Sequence, residues 1–407
     1  MFLAESIKLA LDTLRSHKLR SFLTLLGVIL AVGTLIAVVS VIEGMNGYIS
    51  DRLANLGSNV FIITRFGVIT SAKEWVAAQK RRVITMDDYE GMRSVLKLAK
   101  DVGAASWNRA DVKGGNQSLY EVGVRGVTAN MVNIGSEQVE FGRYISETDF
   151  AHHANTAFVG HDVIDKLYPG LNPLGKTLTF RGQPFEVVGV AKPIGNVFGQ
   201  SQDNFIIIPL TTYLKLYRDN RNLSVSIQVQ ALRADLMAEA QDEARLMMRA
   251  RRHTRFDQKD DFGILSSDTF LTLWKNLTGT IAAVAVGVTS IFLVVGGIVI
   301  MNIMLASVTE RTHEIGIRKS LGARRRDILM QFLVESAALS TAGGMLGVLI
   351  AWVGTKIMSA LTPIPTALPM AAVATALLVS AAVGLFFGIY PANKAARLDP
   401  ITALRSE

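Results

Sequence analysis

A charge-free stretch of 33 residues, 277–309, is followed directly by a strongly basic segment. A bilayer core about 30 Å thick is crossed by roughly 20 helical residues, at about 1.5 Å per residue. The apolar stretch is therefore long enough to span a membrane and to project beyond it. The next 18 residues, 310–327, contain six Lys or Arg and must lie in water. These two segments predict a membrane helix that ends in what we call the basic elbow, residues 310–327.

Three further uncharged blocks are long enough to cross a membrane, at 21–42, 336–355 and 357–393. The last block contains three prolines between positions 362 and 369, and this Pro-rich turn cannot lie inside a helix. We therefore predict a short external loop at 357–369. The four predicted transmembrane helices lie at 21–43, 276–309, 332–356 and 370–391.

Basic residues flank these spans on one side of the membrane. The segments 1–20, 310–327 and 392–407 together hold thirteen Lys or Arg against seven acidic residues. Lys and Arg are enriched in cytoplasmic loops, so both termini and the basic elbow are predicted to be cytoplasmic. The net charge of +8 mainly reflects membrane topology. It predicts contact with membrane lipids and no nucleic-acid partner.

The segment 44–275 is predicted to be an extracytoplasmic domain with a helical stalk. The chain has no cysteine, but a domain of this size can hold its own hydrophobic core. Strand and helix patterns alternate along it, with a β-rich insertion at about 112–204. The predicted fold class is an α-helical membrane protein with four transmembrane helices and a large α+β domain. Residues 1–20 are expected to form a cytoplasmic amphipathic helix, and 392–407 a cytoplasmic tail.

One short pattern imitates a nucleotide site. Residues 170–177 fit the phosphate-binding pattern G-x4-G-K-[ST]. That loop requires a strand before it and a helix after it. In this chain a helical pattern precedes the segment and an alternating strand pattern follows it, so we predict a tight turn. We find no catalytic, cofactor-binding or metal-ligating motif and expect a non-catalytic chain.

Small residues in the last two spans allow helices to approach closely. Gly343 and Gly347 lie four residues apart in the third span, and Gly384 and Gly388 have the same spacing in the fourth. We expect these glycines to pack helices within the four-helix unit, with dimerisation as the second alternative.

Apolar and charged residues alternate in the basic elbow between Gly316 and Gly322. The two glycines suggest a short helix at 317–321 that lies along the membrane, apolar on one side and basic on the other. Such a helix would fit a cleft in a partner protein. A solvated basic loop is the alternative.

The segment 296–328, which contains the basic elbow, resembles the signature of the MacB/FtsX/LolC-type permease family of ABC transporters. The opening 19–27 and the tail 388–405 are similar to the same family. The segment 175–190 resembles the extracytoplasmic core domain of the MacB-like members. The resemblance covers the whole chain.

This resemblance implies a permease dimer, either homomeric or heteromeric, with two ATPase domains docked on the elbows. ATP and Mg would be bound by the ATPase and not by this chain. Only about 20 residues precede the first predicted span, so we expect the ATPase to be a separate cytoplasmic polypeptide. The residues implied to form the coupling elbow are Glu310, Arg311, Glu314, Ile315, Gly316, Ile317, Arg318, Lys319, Leu321, Gly322 and Ala323.

The family resemblance implies a place in the bacterial inner membrane and work transmitted to the outer domain. Export, or extraction of a substrate from the outer leaflet or periplasm, is the expected function, with a periplasmic adaptor as a candidate partner. The alternative is a signalling subunit of FtsX type that transports nothing. A secondary transporter is disfavoured, because the sequence shows no inverted repeats and Glu335, in the third predicted span, is expected at the cytoplasmic interface and not at the membrane midplane.

Overall fold

The computed structural model describes residues 18–55, 59–135, 137–197 and 199–405. These residues divide into two compact units. Residues 49–274 form one unit, which we call the α/β domain, and residues 18–48 with 275–405 form the other, which we call the helical unit. The amphipathic helix expected in segment 1–20 lies outside the described residues as far as residue 17.

Long helices make up most of the helical unit, whereas strands alternate with short helices in the α/β domain. The α-helices are α1 Lys18–Asn55, α2 Ala72–Gln79, α3 Met86–Val95, α4 Met131–Ile134, α5 Glu147–Ala151, α6 His161–Leu167, α7 Leu210–Leu216, α8 Met237–Arg251, α9 Ser267–Glu310, α10 Thr312–Ser320, α11 Arg325–Leu361, α12 Met370–Ala396 and α13 Pro400–Arg405. The strands are β1 Val60–Thr64, β2 Ala99–Gly114, β3 Gln117–Val127, β4 Val139–Gly142, β5 Thr156–Val159, β6 Thr177–Phe180, β7 Gln183–Ala191, β8 Asn196–Val197, β9 Gln200–Ser201, β10 Phe205–Pro209, β11 Ser226–Ala231 and β12 Gly263–Ser266.

The described strands, apart from β8 and β9, form one mixed sheet. Its order is β12–β1–β11–β2–β3–β10–β5–β7–β4, and β6 pairs with both β2 and β7. Neighbours are antiparallel except for the parallel pairs β3–β10 and β5–β7. Strands within the range 112–204 pair with flanking strands, so the β-rich part is continuous with the α/β part. Residue 112 lies inside β2, and the bounds of the insertion stay a prediction.

The sheet is buried on both faces at its centre, as β10 illustrates. Successive side chains of a strand point to opposite faces. Ile206 and Ile208 belong to the larger core, where helices α3, α6, α7 and α8 contribute. Phe205 and Ile207 belong to a second core on the other face, which includes Met131 of α4. A strand buried on both sides reads as a continuous apolar run, and this explains the pattern of residues 205–209.

The segment 170–177 lies between a helix and a strand, as predicted. Helix α6 precedes it and β6 follows it, which is the reverse of the order in a phosphate-binding loop. Gly170 and Gly175 adopt positive φ angles of +71° and +75°, which glycine accommodates without strain. A hairpin follows this turn. Strands β6 and β7 are joined at Arg181 and Gly182, which both have positive φ, as in the tight turns that favour hairpins.

Within the described part of the chain, four helices are long and apolar enough to cross a membrane, which confirms the prediction of four spans. They are residues Leu25–Ile49 within α1, and helices α9, α11 and α12. Helix α12 continues through Pro391 to Ala396, so the first residues of the predicted tail are helical. Helix α11 begins at Arg325, and the last residues of the basic elbow therefore form its first turn.

A buried carboxylate in the α/β domain is expected to make the domain sensitive to acid. Asp149 is buried, which opposes ionisation, but hydrogen bonds from Arg143 and from the backbone and hydroxyl of Ser146 outweigh burial and lower its pKa to about 2. Because the folded pKa lies below the ordinary value of 3.8, this stabilisation is fully present above about pH 4. It is lost as the pH falls towards 2, and its size is about 2 kcal/mol.

Hydrogen exchange of residues 143–151 in the full chain between pH 5 and pH 2.5, corrected for intrinsic exchange rates, measures this loss. Asp149→Asn should lower protection at pH 5 and flatten the pH dependence. Asp219→Asn is the control, because Asp219 is exposed. An unchanged pH dependence in Asp149→Asn would contradict the assignment.

Candidate functional site at the basic elbow

The basic elbow contains a longer helix than the sequence predicts. Helix α9 ends at Glu310 and α10 runs from Thr312 to Ser320, whereas the predicted helix covered 317–321. The prediction that Gly316 would bound this helix is wrong. A glycine inside a helix is unfavourable by about 1 kcal/mol, but Gly316 is buried, so packing outweighs its weak helix propensity.

Gly322 ends the helix, as the sequence predicts. Its φ of +95° lies in the region that glycine tolerates best. The amide of Gly322 donates to the carbonyl oxygen of Lys319 at 3.1 Å, and that of Ala323 donates to Arg318 at 3.0 Å. These two bonds form a Schellman motif, which satisfies carbonyl groups at the end of α10. The turn into α11 is thus defined by its backbone.

One side of α10 is packed into the helical unit. Ile315 is buried in a cluster that includes Ile328 and Phe332 of α11 and Ala396 of α12. Helix α10 also packs on the C-terminal helix α13. The elbow is therefore an ordered part of the helical unit. The alternative prediction of a solvated basic loop is wrong for residues 312–320, which form a packed helix.

Lys319 joins the elbow to the end of α12. Its ammonium group donates hydrogen bonds to the carbonyl oxygens of Ala396 at 2.7 Å and Leu398 at 2.6 Å. A cation at a helix C-terminus is favourable, because the last carbonyl groups carry partial negative charge. Burial lowers the pKa of Lys319, and the positive charge of Arg325 lowers it further, while Asp399 opposes the shift. Lys319 thus has a structural role that the sequence did not reveal.

Arg311 anchors the beginning of the elbow. Its guanidinium lies 3.2 Å from the carboxylate of Glu335, which is only 3% exposed. The pair connects the segment between α9 and α10 with the side of α11. This pair could not be predicted from the sequence, because the two residues are 24 positions apart.

The remaining predicted elbow residues face outward or lie at the edge. Ala323 is half-buried, whereas the exposed residues are Glu310, Glu314, Ile317, Arg318, Leu321 and Gly322. Leu321 is 83% exposed, and the guanidinium of Arg318 donates to the side chain of Gln331 at 2.8 Å. The structure therefore divides the predicted site into a buried anchoring side and an exposed side. The exposed side combines apolar and charged groups and can contact a partner protein.

The four predicted packing glycines lie at helix contacts within the helical unit. A Cβ at Gly343 would touch Leu25 and Val28 of α1, and one at Gly347 would lie 2.8 Å from a backbone oxygen of α1. Cβ atoms at Gly384 and Gly388 would overlap with Ser336 of α11. Close approach of backbones at glycine is typical of membrane helices.

Two family descriptions match the chain. Residues 21–246 match the MacB-like periplasmic core domain. Residues 286–400, which include the basic elbow, match the FtsX-like permease C-terminal domain.

Full-length relatives show the same relationship. The ABC transporter permease YknZ of Bacillus subtilis is 32% identical over 410 residues, which cover all of both chains. The macrolide export ATP-binding/permease protein MacB of Neisseria gonorrhoeae is 33% identical over 99% of this chain. This chain spans 61% of the length of that relative. The pyoverdine export protein PvdT of Pseudomonas fluorescens is 34% identical, and the chain spans 60% of it.

Solved structures resemble part of the chain. The periplasmic region of MacB from Actinobacillus actinomycetemcomitans covers 56% of this chain and 98% of its own, with 19% identity and a TM-score of 0.47. The extracellular domain of YknZ covers 51% of this chain and all of its own, with 20% identity and a TM-score of 0.41. Because sequence identity to a full-length permease extends from end to end and both family descriptions match in order, the chain is a multi-pass membrane protein that belongs to the MacB/FtsX family of ABC transporter permeases.

Proposed function

We propose that the chain is a permease subunit that transmits the movement of a separate cytoplasmic ATPase to an extracytoplasmic α/β domain. The observation that carries this proposal is the division of the basic elbow into an anchored side and an exposed side. Ile315, Lys319 and Arg311 fasten the elbow to α11 and α12, while Arg318 and Leu321 remain accessible. A partner that pushes on the exposed side would move the transmembrane helices with it.

The proposed transporter contains further subunits and ligands. ATP and Mg would be bound by the ATPase subunit, and both termini of this chain would lie in the cytoplasm. A second permease chain would complete the transporter, and a periplasmic adaptor is a candidate partner. Export, or extraction of a substrate from the outer leaflet or periplasm, would be the outcome. Relatives named for macrolide and pyoverdine export support this class of function.

The double variant Arg318→Glu/Leu321→Asp tests the docking role of the exposed side. Both side chains lie outside the core, so the permease should fold normally. We expect its association with the cognate ATPase subunit to weaken by about tenfold or more. Truncating an important interface residue, or reversing its charge, typically reduces the binding free energy by more than about 1–2 kcal/mol. The measurement is the dissociation constant and the stimulated ATPase rate in lipid nanodiscs. Lys319 is unsuitable for this test, since its replacement would also disturb α12.

Two further variants make this test specific. Arg255→Glu reverses a charge that is also exposed but lies in the α/β domain, and it should leave ATPase binding unchanged. Ile315→Asp disrupts the buried side and should reduce the folded yield. Normal ATPase binding and stimulation by Arg318→Glu/Leu321→Asp would refute the proposed docking surface.

A signalling subunit of FtsX type is the second candidate, because the FtsX-like match covers the elbow and the last two spans. In that case the α/β domain would activate an extracellular enzyme and no substrate would cross the membrane. Co-purification with such an enzyme, with no efflux partner, would favour this function over export.

A further inference from the structure

A large groove lies on one face of the central sheet in the α/β domain. Its volume is about 1160 Å³, and strands β1, β11, β2, β3 and β10 contribute side chains to it. Strand register places Trp107 beside Arg125 and Phe205 beside Gly123. Pockets for small molecules usually have about 300–1,000 Å³, so this groove can hold a ligand with several rings.

Two aromatic side chains in the groove lie mostly in solvent. Trp107 is 69% exposed and Tyr120 is 70% exposed, although both belong to strands of the sheet. Aromatic rings have large apolar faces, and burying them against a ligand releases water favourably. The rings therefore provide stacking surfaces for a ligand that has apolar faces of its own.

Most of the cations in the groove are paired with carboxylates. Three cationic side chains face carboxylates, in the pairs Arg109–Glu121 at 3.2 Å, Arg125–Glu137 at 2.9 Å and Lys166–Asp162 at 3.9 Å. The fourth cation, Arg65, donates to the backbone oxygens of Gln79 and Arg81. Arg65 is the one lining cation without a carboxylate partner among the described residues, and it is only 8% exposed, so the groove presents little charge to an anion and favours a neutral ligand.

Neutral polar groups supply the hydrogen-bonding capacity of the groove. Side-chain amides line it at Gln202, Asn204, Asn222 and Gln228. Amides both donate and accept, which matches the hydroxyl groups of sugars.

A peptide strand is a poor occupant of this face. Strands β11, β2 and β3 are paired on both sides, so their backbone groups already bond within the sheet. Addition of a peptide strand needs an open sheet edge with free backbone groups. Recognition in the groove must therefore come from side chains.

We propose that this groove is a binding site for a neutral oligosaccharide. A sugar ring would stack on Trp107, and its hydroxyl groups would bond to the side-chain amides that line the groove. This site is separate from the basic elbow, and its test requires no ATPase.

The test uses the full chain in lipid nanodiscs, because detergents with sugar headgroups would compete. Neutral hexasaccharides of the β-1,4-glucan, α-1,4-glucan, xylan and chitin types are titrated by isothermal calorimetry and tryptophan fluorescence. We expect at least one to bind with a dissociation constant below about 1 mM. Trp107→Ala should weaken binding about tenfold, and the affinity should not change between about 50 and 500 mM salt.

Control variants separate stacking in the groove from general effects. Tyr120→Ala should weaken binding in the same way, and both exposed residues can be replaced without loss of core packing. Phe256→Ala should have no effect, since Phe256 is fully exposed and lies outside the groove. The proposal is overturned if no neutral hexasaccharide binds, if Trp107→Ala binds normally, or if the affinity falls steeply as the salt concentration rises.

Discussion

Replacing Gly384 by leucine is expected to separate α12 from α11 and to destabilise the helical unit by about 3 kcal/mol, the upper part of the usual range for overpacking. A Cβ at this position would lie 2.5 Å from the backbone oxygen of Ser336 and 2.7 Å from the Cβ of Ser340. Backbone atoms cannot rotate away from a new side chain. The two helices themselves must therefore move apart.

The same change should break a polar contact between these helices. The hydroxyl of Ser340 donates to the backbone oxygen of Ser380 at 2.6 Å, and the hydroxyl of Ser380 donates to the backbone oxygen of Ser340 at 2.5 Å. Each bond between membrane helices contributes about 0.6–2 kcal/mol. Loss of both adds to the effect of the steric overlap.

Gly287→Leu is the matched control, because a Cβ at Gly287 would meet no atom within 4 Å. Both variants add the same side chain to a membrane helix, and only Gly384→Leu creates an overlap. Unfolding of the full chain by dodecyl sulfate in mixed micelles, and hydrogen exchange along α11 and α12, measure the difference. Equal stability of the two variants would disprove close packing at Gly384.

Replacing Arg311 by methionine is expected to destabilise the protein by about 3–5 kcal/mol, the usual effect of removing one partner from a buried ion pair. The carboxylate of Glu335 is almost completely buried, and Arg311 lies 3.2 Å from it. Without the guanidinium, this acid would remain in a site of low polarity next to the membrane. Glu335→Met should be less harmful, because the partly exposed Arg311 can reach water.

The double variant Arg311→Met/Glu335→Met tests whether the pair itself causes the loss. Replacement of both partners by apolar groups of similar size is often neutral, so the double variant should recover most of the stability. A double-mutant cycle from denaturant unfolding in micelles gives the coupling energy. If the effects of the two single substitutions simply add, the residues do not interact and the contact has been misassigned.

In the basic elbow, the end of helix α10 could be predicted from the sequence, but its beginning could not. The positive φ at Gly322 could be anticipated, because a glycine after a helical segment is the usual sign of a C-terminus. Gly316 gave the same local signal, yet it lies inside α10. What distinguishes the two glycines is their tertiary environment, since Gly316 is buried and Gly322 is exposed. A pattern along the chain cannot distinguish these cases.

The positions of charged residues were predictable from the sequence, but their contacts were not. Composition predicted a basic segment in water, and residues such as Arg318 agree with this. It could not predict that Lys319 would turn inward to the end of α12, although the two cations are adjacent in sequence. That contact joins groups 77 and 79 positions apart. In the α/β domain the groove likewise depends on strand order, because the sheet places residues from β1 and from β10 in the lining of one groove.

The sequence by itself determined the four membrane helices, the basic elbow between two of them and the alternation of strands and helices in the outer segment. These features follow from hydrophobicity, charge and turn residues, which act over a few neighbouring positions. Only the tertiary structure decided which elbow residues anchor and which remain accessible, that Arg311 pairs with Glu335, and that one sheet carries a polar, aromatic groove. These features depend on contacts between distant parts of the chain, and their energies arise only once the elements have packed together.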